Sequence, residues 1–209
     1  MRELAMFPLE QTVLPSATVP LHIFEERYRA LARYLADLDE PEFGITMIER
    51  GREVGGEDLR TNVGVVARAV QAEEFPDGRW GMIAMATRRI RVERWADDDP
   101  YPKAMVEDWP DSDADVSSEA LARLTSQLER IWTAARLLAP GRKLNEPAVN
   151  FDDPTFGAWQ SVVSAQLGAL DNQRLLREPG WRRRAALAAE LFEERAEVLE
   201  ALLGYDCDG

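Results

Sequence analysis

The stretch that decides the fold spans residues 63–92 and reads VGVVARAVQAEEFPDGRWGMIAMATRRIRV. Its first part is apolar on both faces, which is typical of a buried strand. The pair Asp77-Gly78 in its middle is suited to the positive φ of a tight turn. After the turn, Ile90 and Val92 alternate with charged residues and indicate a half-buried strand. The stretch therefore predicts a strand, a tight turn, and then one long strand or two short ones.

Three more strand patterns flank this stretch. LAMFPLEQTVLP (residues 4–15) predicts a short strand that ends in a proline-broken loop. EFGITMIER (42–50) and YPKAMVEDWP (101–110) predict one strand each. Strands with two apolar faces, joined by tight turns, favour a small closed or nearly closed barrel.

A helical pattern interrupts these strands between residues 19 and 38. Leucine and aromatic residues at positions 21, 24, 28, 31, 35 and 38 step by three and four, which places them on one side of a helix. Pro20 precedes the pattern and suits a helix start. We therefore expect one inserted helix, with His22, the chain's single histidine, where the barrel meets it.

The character of the sequence changes near residue 110, where an acidic segment precedes a series of helical patterns. Asp115 or Ser117 can cap a long helix whose apolar residues repeat in threes and fours from 121 to 138. Asp153-Pro154 suits the cap and first turn of a second helix. Asp171 suits the cap of a short third helix.

The last helical pattern is WRRRAALAAELFEERAEVLEALL (residues 181–203), with Gly204 as a natural stop. Arg182, Arg183 and Arg184 precede its glutamate-rich part, so they are expected on a solvated, salt-bridged face. The sequence therefore predicts an α+β fold in two parts. Residues 1–112 form a β-barrel with one inserted helix, and residues 113–209 form a helical bundle.

Composition restricts the classes of partner. The formal net charge is −13, a field that repels nucleic acid and anionic lipid. No run reaches the ~18 apolar residues that a membrane span needs, and no secretory signal is visible at the N-terminus. Cys207 is the only cysteine and has no internal disulfide partner, which favours a reducing cytoplasm. We expect a cytoplasmic protein that binds neither nucleic acid nor membrane.

The residues that could support chemistry favour structural roles. His22 has no evident nucleophile, so a role in packing is favoured over catalysis, and no catalytic residue is predicted. One histidine and one cysteine give no zinc pattern. The glycine-containing loop GREVGGEDLR (51–60) is not a nucleotide site, because Glu53, Glu57 and Asp58 would repel phosphate. We expect neither a metal nor a cofactor.

The chain resembles the Lon protease N-terminal (substrate-binding) domain family, in particular its free-standing bacterial members. The similarity lies in MFPLEQTVLPSATVPLHIFEERYRAL (6–31), FGITMI (43–48), residues 63–92 and YPKAMVE (101–107). Three positions depart from the family pattern: Leu14 replaces a phenylalanine, and Ser16 and Ala86 replace glycines. These departures affect local turn geometry. The resemblance implies a PUA-like barrel followed by a helical bundle.

The resemblance also implies a function in protein quality control. No GxxxxGK[ST] loop is present and no room remains for a Ser-Lys protease domain, so we expect a non-enzymatic protein. It would bind unfolded or apolar polypeptide segments in a groove between barrel and helices, as a monomer or weak homodimer. The alternatives are an adaptor that docks to a protease or other partner, and an enzyme of unrecognised chemistry in the same cleft. The candidate binding residues are Tyr28, Trp80, Met82, Arg88, Arg89 and Trp159.

Overall fold

A computed structural model describes residues 1–50, 59–113, 116–141, 149–150 and 152–206. The chain forms two compact units, Met1–Pro110 and Asp111–Gly209, and the predicted division after residue 112 lies next to this boundary. The predicted α+β class is confirmed. The loop at 51–58, the candidate cap Asp115 and the tail with Cys207 lie outside the described residues.

The first unit contains six strands and one helix in its described residues. The tight turn between the two long strands is present as predicted, with Gly78 at a φ of +79°. The second long strand is a single element. The bounds are β1 Arg2–Leu9, β2 Thr18–Ile23, α1 Glu26–Ala36, β3 Glu42–Arg50, β4 Leu59–Glu74, β5 Trp80–Trp95 and β6 Lys103–Asp108.

The strand pairings of this unit close into a ring. Strand β1 pairs parallel with β3 and antiparallel with β6. Antiparallel pairs β3–β4, β4–β5 and β5–β6 complete the circuit. Strand β2 lies outside the ring and pairs with residues 80–85 of β5. Side chains from β1, β4, β5 and β6 form a buried cluster: Leu4, Met6, Val66, Ile90, Val92, Ala104 and Val106.

The prediction of a helix start at Pro20 is wrong. Residues 18–23 form strand β2, and the helix begins only at Glu26. Leu21 and Ile23 are buried in strand alternation, which pairing with β5 selects over the helical spacing. Phe24, expected on the buried side of the helix, is 54% exposed. The buried residues of α1 are Tyr28, Leu31, Ala32 and Leu35.

A turn without glycine leads into β2. The N–H of Ala17 donates to the carbonyl of Leu14 at 3.1 Å, and Ser16 has a φ of +71°. Proline at the second position and positive φ at the third are typical of a type II turn, in which glycine is preferred at the third. Ser16 therefore occupies a left-handed position, at the site where the family pattern has glycine.

The same turn is attached to β5 at Ala86. The N–H of Ser16 donates to the carbonyl of Ala86, and the N–H of Ala86 donates to the carbonyl of Ala17, both at 2.9 Å. Ser16 and Ala17 thus lie opposite the single residue Ala86, as in a β-bulge. Ala86, which stands where the family pattern has glycine, is buried at this position.

The second unit contains four helices among its described residues. Ser117 and Asp153 cap α2 and α3 through side-chain hydrogen bonds, as predicted. Two predicted boundaries are wrong: Gly168, not Asp171, precedes α4, and α5 continues through Gly204. The bounds are α2 Ser118–Leu138, α3 Pro154–Ser164, α4 Ala169–Arg177 and α5 Trp181–Asp206. No described helix has the length and apolar character needed to cross a membrane.

The prediction that Arg184 is solvated is also wrong. Its side chain is completely buried, and its Nη2 lies 2.7 Å from Oδ1 of Asp111. The guanidinium lies 4.4 Å from the ring centre of Trp159 and 4.7 Å from that of Trp181. Burial lowers the pKa of Arg184 below its usual value. A charged group at the centre of the unit therefore depends on a carboxylate and two aromatic faces. Its neighbour Arg183 remains exposed.

Candidate functional site

A groove of about 490 Å³ follows strand β2 in the first unit, a volume within the usual range for ligand sites. We call it the β2 groove. It is formed by β2 with its flanking residues, by the loop that follows β1, and by the buried aromatic side chains of Phe7 and Tyr28. The lining residues are Phe7, Leu9, Glu10, Gln11, Thr12, Val13, Ala17, Thr18, Val19, Pro20, Leu21, His22, Ile23, Phe24, Glu25 and Tyr28.

The buried part of the β2 groove is apolar. Phe7 and Tyr28 stack with ring centres 4.1 Å apart and planes inclined by 15°. Leu21 and Ile23 of β2 are buried beside them in the lining. Apolar side chains on such a surface bind apolar groups without fixing their identity. The exposed Phe24 extends this surface at one end.

Charged groups stand around this apolar surface. The guanidinium of Arg27 lies 4.5 Å from the ring centre of Tyr28, and its Nε donates to Oε2 of Glu25 at 3.1 Å. Glu25 and Arg27 therefore pair locally. Glu10 is exposed on the opposite side of the lining. The lining contains the carboxylates of Glu10 and Glu25 beside the imidazole of His22 and the phenol of Tyr28, so its charged groups are acidic.

His22 lies on the exposed side of β2. Its Nε2 is 3.3 Å from Nη1 of Arg79, and because arginine is only a donor, Nε2 accepts this hydrogen bond. Arg79 also forms an ion pair with Asp77 at 2.6 Å. No hydroxyl or thiol hydrogen-bonds to His22 in the part of the chain that the structure describes. The arrangement therefore lacks the nucleophile–base contact of a hydrolytic triad.

Tyr28 is the candidate binding residue that the structure places in the β2 groove. Trp80 and Met82 are buried on β5. Met82 lines a smaller hollow of about 360 Å³ that also contains Pro20 and His22. The residues of β2 thus border two depressions, and Tyr28 and Met82 lie in different ones.

The two candidate arginines support the fold of the first unit. Arg88 donates to both carboxylate oxygens of Glu42, at 2.7 and 2.8 Å, and these bonds hold the pKa of Glu42 down at about 2. Arg89 is buried with its guanidinium 4.3 Å from the ring centre of Trp109. Trp159 belongs to the second unit. The binding roles of Trp80, Met82, Arg88, Arg89 and Trp159 stay predictions, as does the groove between barrel and helices.

Sequence reasoning missed most of the β2 groove. Residues 10–13 gave only the signal of a proline-broken loop. The helical spacing that begins at Leu21 predicts a helix there, and a helix offers no strand edge for binding. A usable signal was present in Pro20, because proline inside a strand is confined to sheet edges. Within the described ranges, no group of three or more His, Cys, Asp or Glu residues could hold a metal ion.

Comparisons with known proteins give a consistent result. The family model described as "ATP-dependent protease La (LON) substrate-binding domain" matches residues 3–194. The chain is 28% identical over 204 residues to the Lon protease of Anaeromyxobacter dehalogenans (strain 2CP-C). It is 23% identical over 210 residues to that of Chloroherpeton thalassium (strain ATCC 35110 / GB-78). Each alignment covers 94% of this chain but only 24% of the relative's length.

Two solved structures are similar over most of their length. The Lon N-terminal domain protein from Xanthomonas campestris superimposes with a TM-score of 0.65 at 26% identity, covering 88% of this chain and 95% of that one. The N-terminal domain of the Mycobacterium avium complex Lon protease gives a TM-score of 0.63 at 17% identity, with coverages of 92% and 98%. The second likeness concerns the fold alone.

Proposed function

The chain belongs to the Lon substrate-binding domain family, and on this premise we propose that it binds unfolded or apolar polypeptide segments without chemistry of its own. Binding takes place in the β2 groove. The protein acts in the cytoplasm as a monomer or weak homodimer. The family is described as a substrate-binding domain. We therefore take a polypeptide as the ligand and assign no reaction to the groove.

The observation that supports this proposal is the buried apolar lining of the β2 groove under an exposed polar rim. Phe7, Tyr28, Leu21 and Ile23 form the buried floor of the groove, and the exposed Pro20 and Phe24 provide apolar contact area, whereas the other exposed groups are charged or polar. Unfolded chains expose apolar side chains of varied shape, and contact with them gains roughly 25 cal/mol per Å² of apolar surface removed from water. Such contacts tolerate variation in sequence, which a binder of unfolded segments requires.

The test is titration of a fluorescently labelled small protein that has been reduced and alkylated so that it cannot refold. Saturable binding measured by anisotropy is expected, together with an unchanged mass of the labelled protein after incubation. Absence of concentration-dependent binding would contradict the polypeptide function. A covalent change in the labelled protein would contradict the absence of chemistry.

A matched pair of variants locates the site. Phe24 is 54% exposed in the β2 groove, and Phe156 is 40% exposed on α3, so neither substitution to alanine opens a buried cavity. Phe24→Ala is expected to weaken binding about tenfold, since an apolar aromatic contact is lost. Phe156→Ala is expected to leave it unchanged. Equal effects of the two substitutions would place the site elsewhere.

A further inference from the structure

We infer that the β2 groove binds its ligand as an added β-strand on the open edge of β2. This inference rests on the proposed function and specifies how the polypeptide is held. Strand β2 stands at one end of the strand order and pairs with β5 on one side. In the described part of the chain, no strand pairs with its other side. An exposed strand edge of this kind is a template for another chain.

The hydrogen-bond alternation identifies the backbone groups on the open edge. The N–H of Ala86 donates to the carbonyl of Ala17, so residue 17 directs its carbonyl toward β5. In an antiparallel pair, successive residues alternate between facing the partner and facing away. The register Thr18↔Met85 to Ile23↔Trp80 continues this alternation without a shift. Thr18, Pro20 and His22 therefore direct their backbone groups away from β5.

The position of Pro20 in β2 supports this assignment independently. Proline has no N–H to donate, and it is tolerated in a strand where that position faces away from the partner. The open edge thus offers the N–H groups of Thr18 and His22. It also offers the carbonyls of Thr18, Pro20 and His22. This pattern of donors and acceptors is what an extended peptide backbone complements.

The opposite side of the β2 groove is formed by the loop that follows β1. Residues 9–13 line it, and the hydroxyl of Thr12 donates to the sulfur of Met47 on β3 at 3.1 Å. This hydrogen bond ties the loop to β3. Strand β2 has six residues, which at roughly 3.3 Å per residue gives an edge about 20 Å long. Alternate side chains of an added strand would contact Phe7 and Tyr28.

Charge defines the occupant as a foreign segment that is apolar and basic. Arg27 pairs with Glu25 of the lining, so the excess of negative charge rests on the Glu10 carboxylate in the lining and on the chain's net charge of −13. Both features favour lysine or arginine in the ligand and disfavour aspartate and glutamate. A second copy of this chain fits poorly because its charge is equally negative. Pairing two β2 edges would also oppose two prolines that cannot donate.

The first experiment uses a seven-residue peptide, acetyl-Lys-Val-Thr-Val-Thr-Val-Lys-amide, with a fluorophore on a flexible linker. Its alternation distinguishes the two faces, so a register shift of one residue is disfavoured. Two derivatives carry backbone N-methyl groups, one on the valines and one on the threonines. Only one set of alternate N–H groups faces β2. One derivative is therefore expected to bind at least about tenfold more weakly, while the other keeps its affinity. Equal affinities of the two derivatives would overturn strand addition.

The second experiment removes one donor from the protein. His22→Pro deletes the outward N–H without removing a hydrogen bond to β5, and His22→Gln changes the side chain while keeping that N–H. We expect peptide binding to be about tenfold weaker for His22→Pro than for His22→Gln, because only the second variant keeps the N–H. Circular dichroism confirms that both variants are folded. If His22→Pro does not fold, the N-methyl pair decides the question alone.

The outcomes separate this inference from the proposed function. Binding of the alkylated protein without binding of the unmodified peptide overturns strand addition and leaves the polypeptide function standing. Peptide binding that His22→Pro and His22→Gln weaken equally overturns strand addition as well. A peptide in which glutamate replaces lysine is expected to bind more weakly. Stronger binding of that peptide would overturn the assignment of a basic ligand.

Discussion

Asp111→Ala is expected to destabilise the second unit strongly, because it removes the carboxylate bonded to a buried cation and leaves only the charge–charge attraction of Asp113 and Glu178. The side chain of Arg184 is 0% exposed and that of Asp111 is 11% exposed, with 2.7 Å between Nη2 and Oδ1. Arg184 also donates from Nε to the carbonyl of Leu175 at 3.0 Å and from Nη2 to that of Glu178. These carbonyls are neutral and cannot replace the carboxylate.

The magnitude follows from the burial of the pair. Removing one partner of a buried ion pair costs about 3–5 kcal/mol. The partial exposure of Asp111 favours the lower end of that range, since water already reaches part of the carboxylate. Arg184→Met keeps an apolar side chain of similar length but loses the pair and the contacts with two tryptophan rings, about 0.5–2 kcal/mol for each ring. In the double variant no unpaired guanidinium remains. Its free energy of unfolding is therefore expected to fall by about 2 kcal/mol less than the sum of the decreases in the two single variants.

Urea denaturation followed by tryptophan fluorescence and circular dichroism measures the free energies of unfolding of the four proteins. The exposed neighbour provides a control: Arg183→Ala is expected to change stability by less than about 0.5 kcal/mol. Additivity of Asp111→Ala and Arg184→Met within about 0.5 kcal/mol would show that the two side chains act independently. That result would refute the reasoning about a buried, mutually dependent pair.

Four further substitutions test local features of the two units. Ser16→Gly is expected to raise the free energy of unfolding by about 0.5–1 kcal/mol, because relief of the left-handed backbone outweighs the added chain entropy; an unchanged melting temperature would argue against strain in this turn. Gly64→Ala is expected to cost about 1–3 kcal/mol in urea denaturation, since a Cβ there meets a backbone carbonyl oxygen. Gly204→Ala, in α5 where a Cβ meets no atom within 4 Å, should raise the free energy of unfolding by up to about 1 kcal/mol. Equal effects of Gly64→Ala and Gly204→Ala would contradict the crowding argument. Glu42→Gln should destabilise near neutral pH by weakening the bonds from Arg88. Because the folded-state pKa is lowered from 4.5 to about 2, the difference from wild type should shrink as pH falls through that range, and a constant difference would rule out this linkage.

Local signals in the sequence were sufficient for most elements. The turn at Asp77-Gly78 and the caps Ser117 and Asp153 depend on groups within a few residues, and all three are present. The helical spacing from 121 to 138 predicted α2 because one helix face must be apolar to pack. The motifs of residues 6–31 and 63–92 indicated the family, and the family model matches residues 3–194.

The tertiary structure alone decided the state of β2 and the environment of Arg184. Leu21 begins a helical spacing that continues to Leu38, but it also fits a strand alternation with Ile23, and hydrogen bonding to β5 selected the strand. Arg184 belongs to a basic cluster that is solvated by every local criterion, yet it pairs with Asp111, 73 positions away. Which charges are buried and which strand edge stays open depend on contacts between residues distant in the chain. Periodicity and capping, which act over one or two turns, contain no information about such contacts.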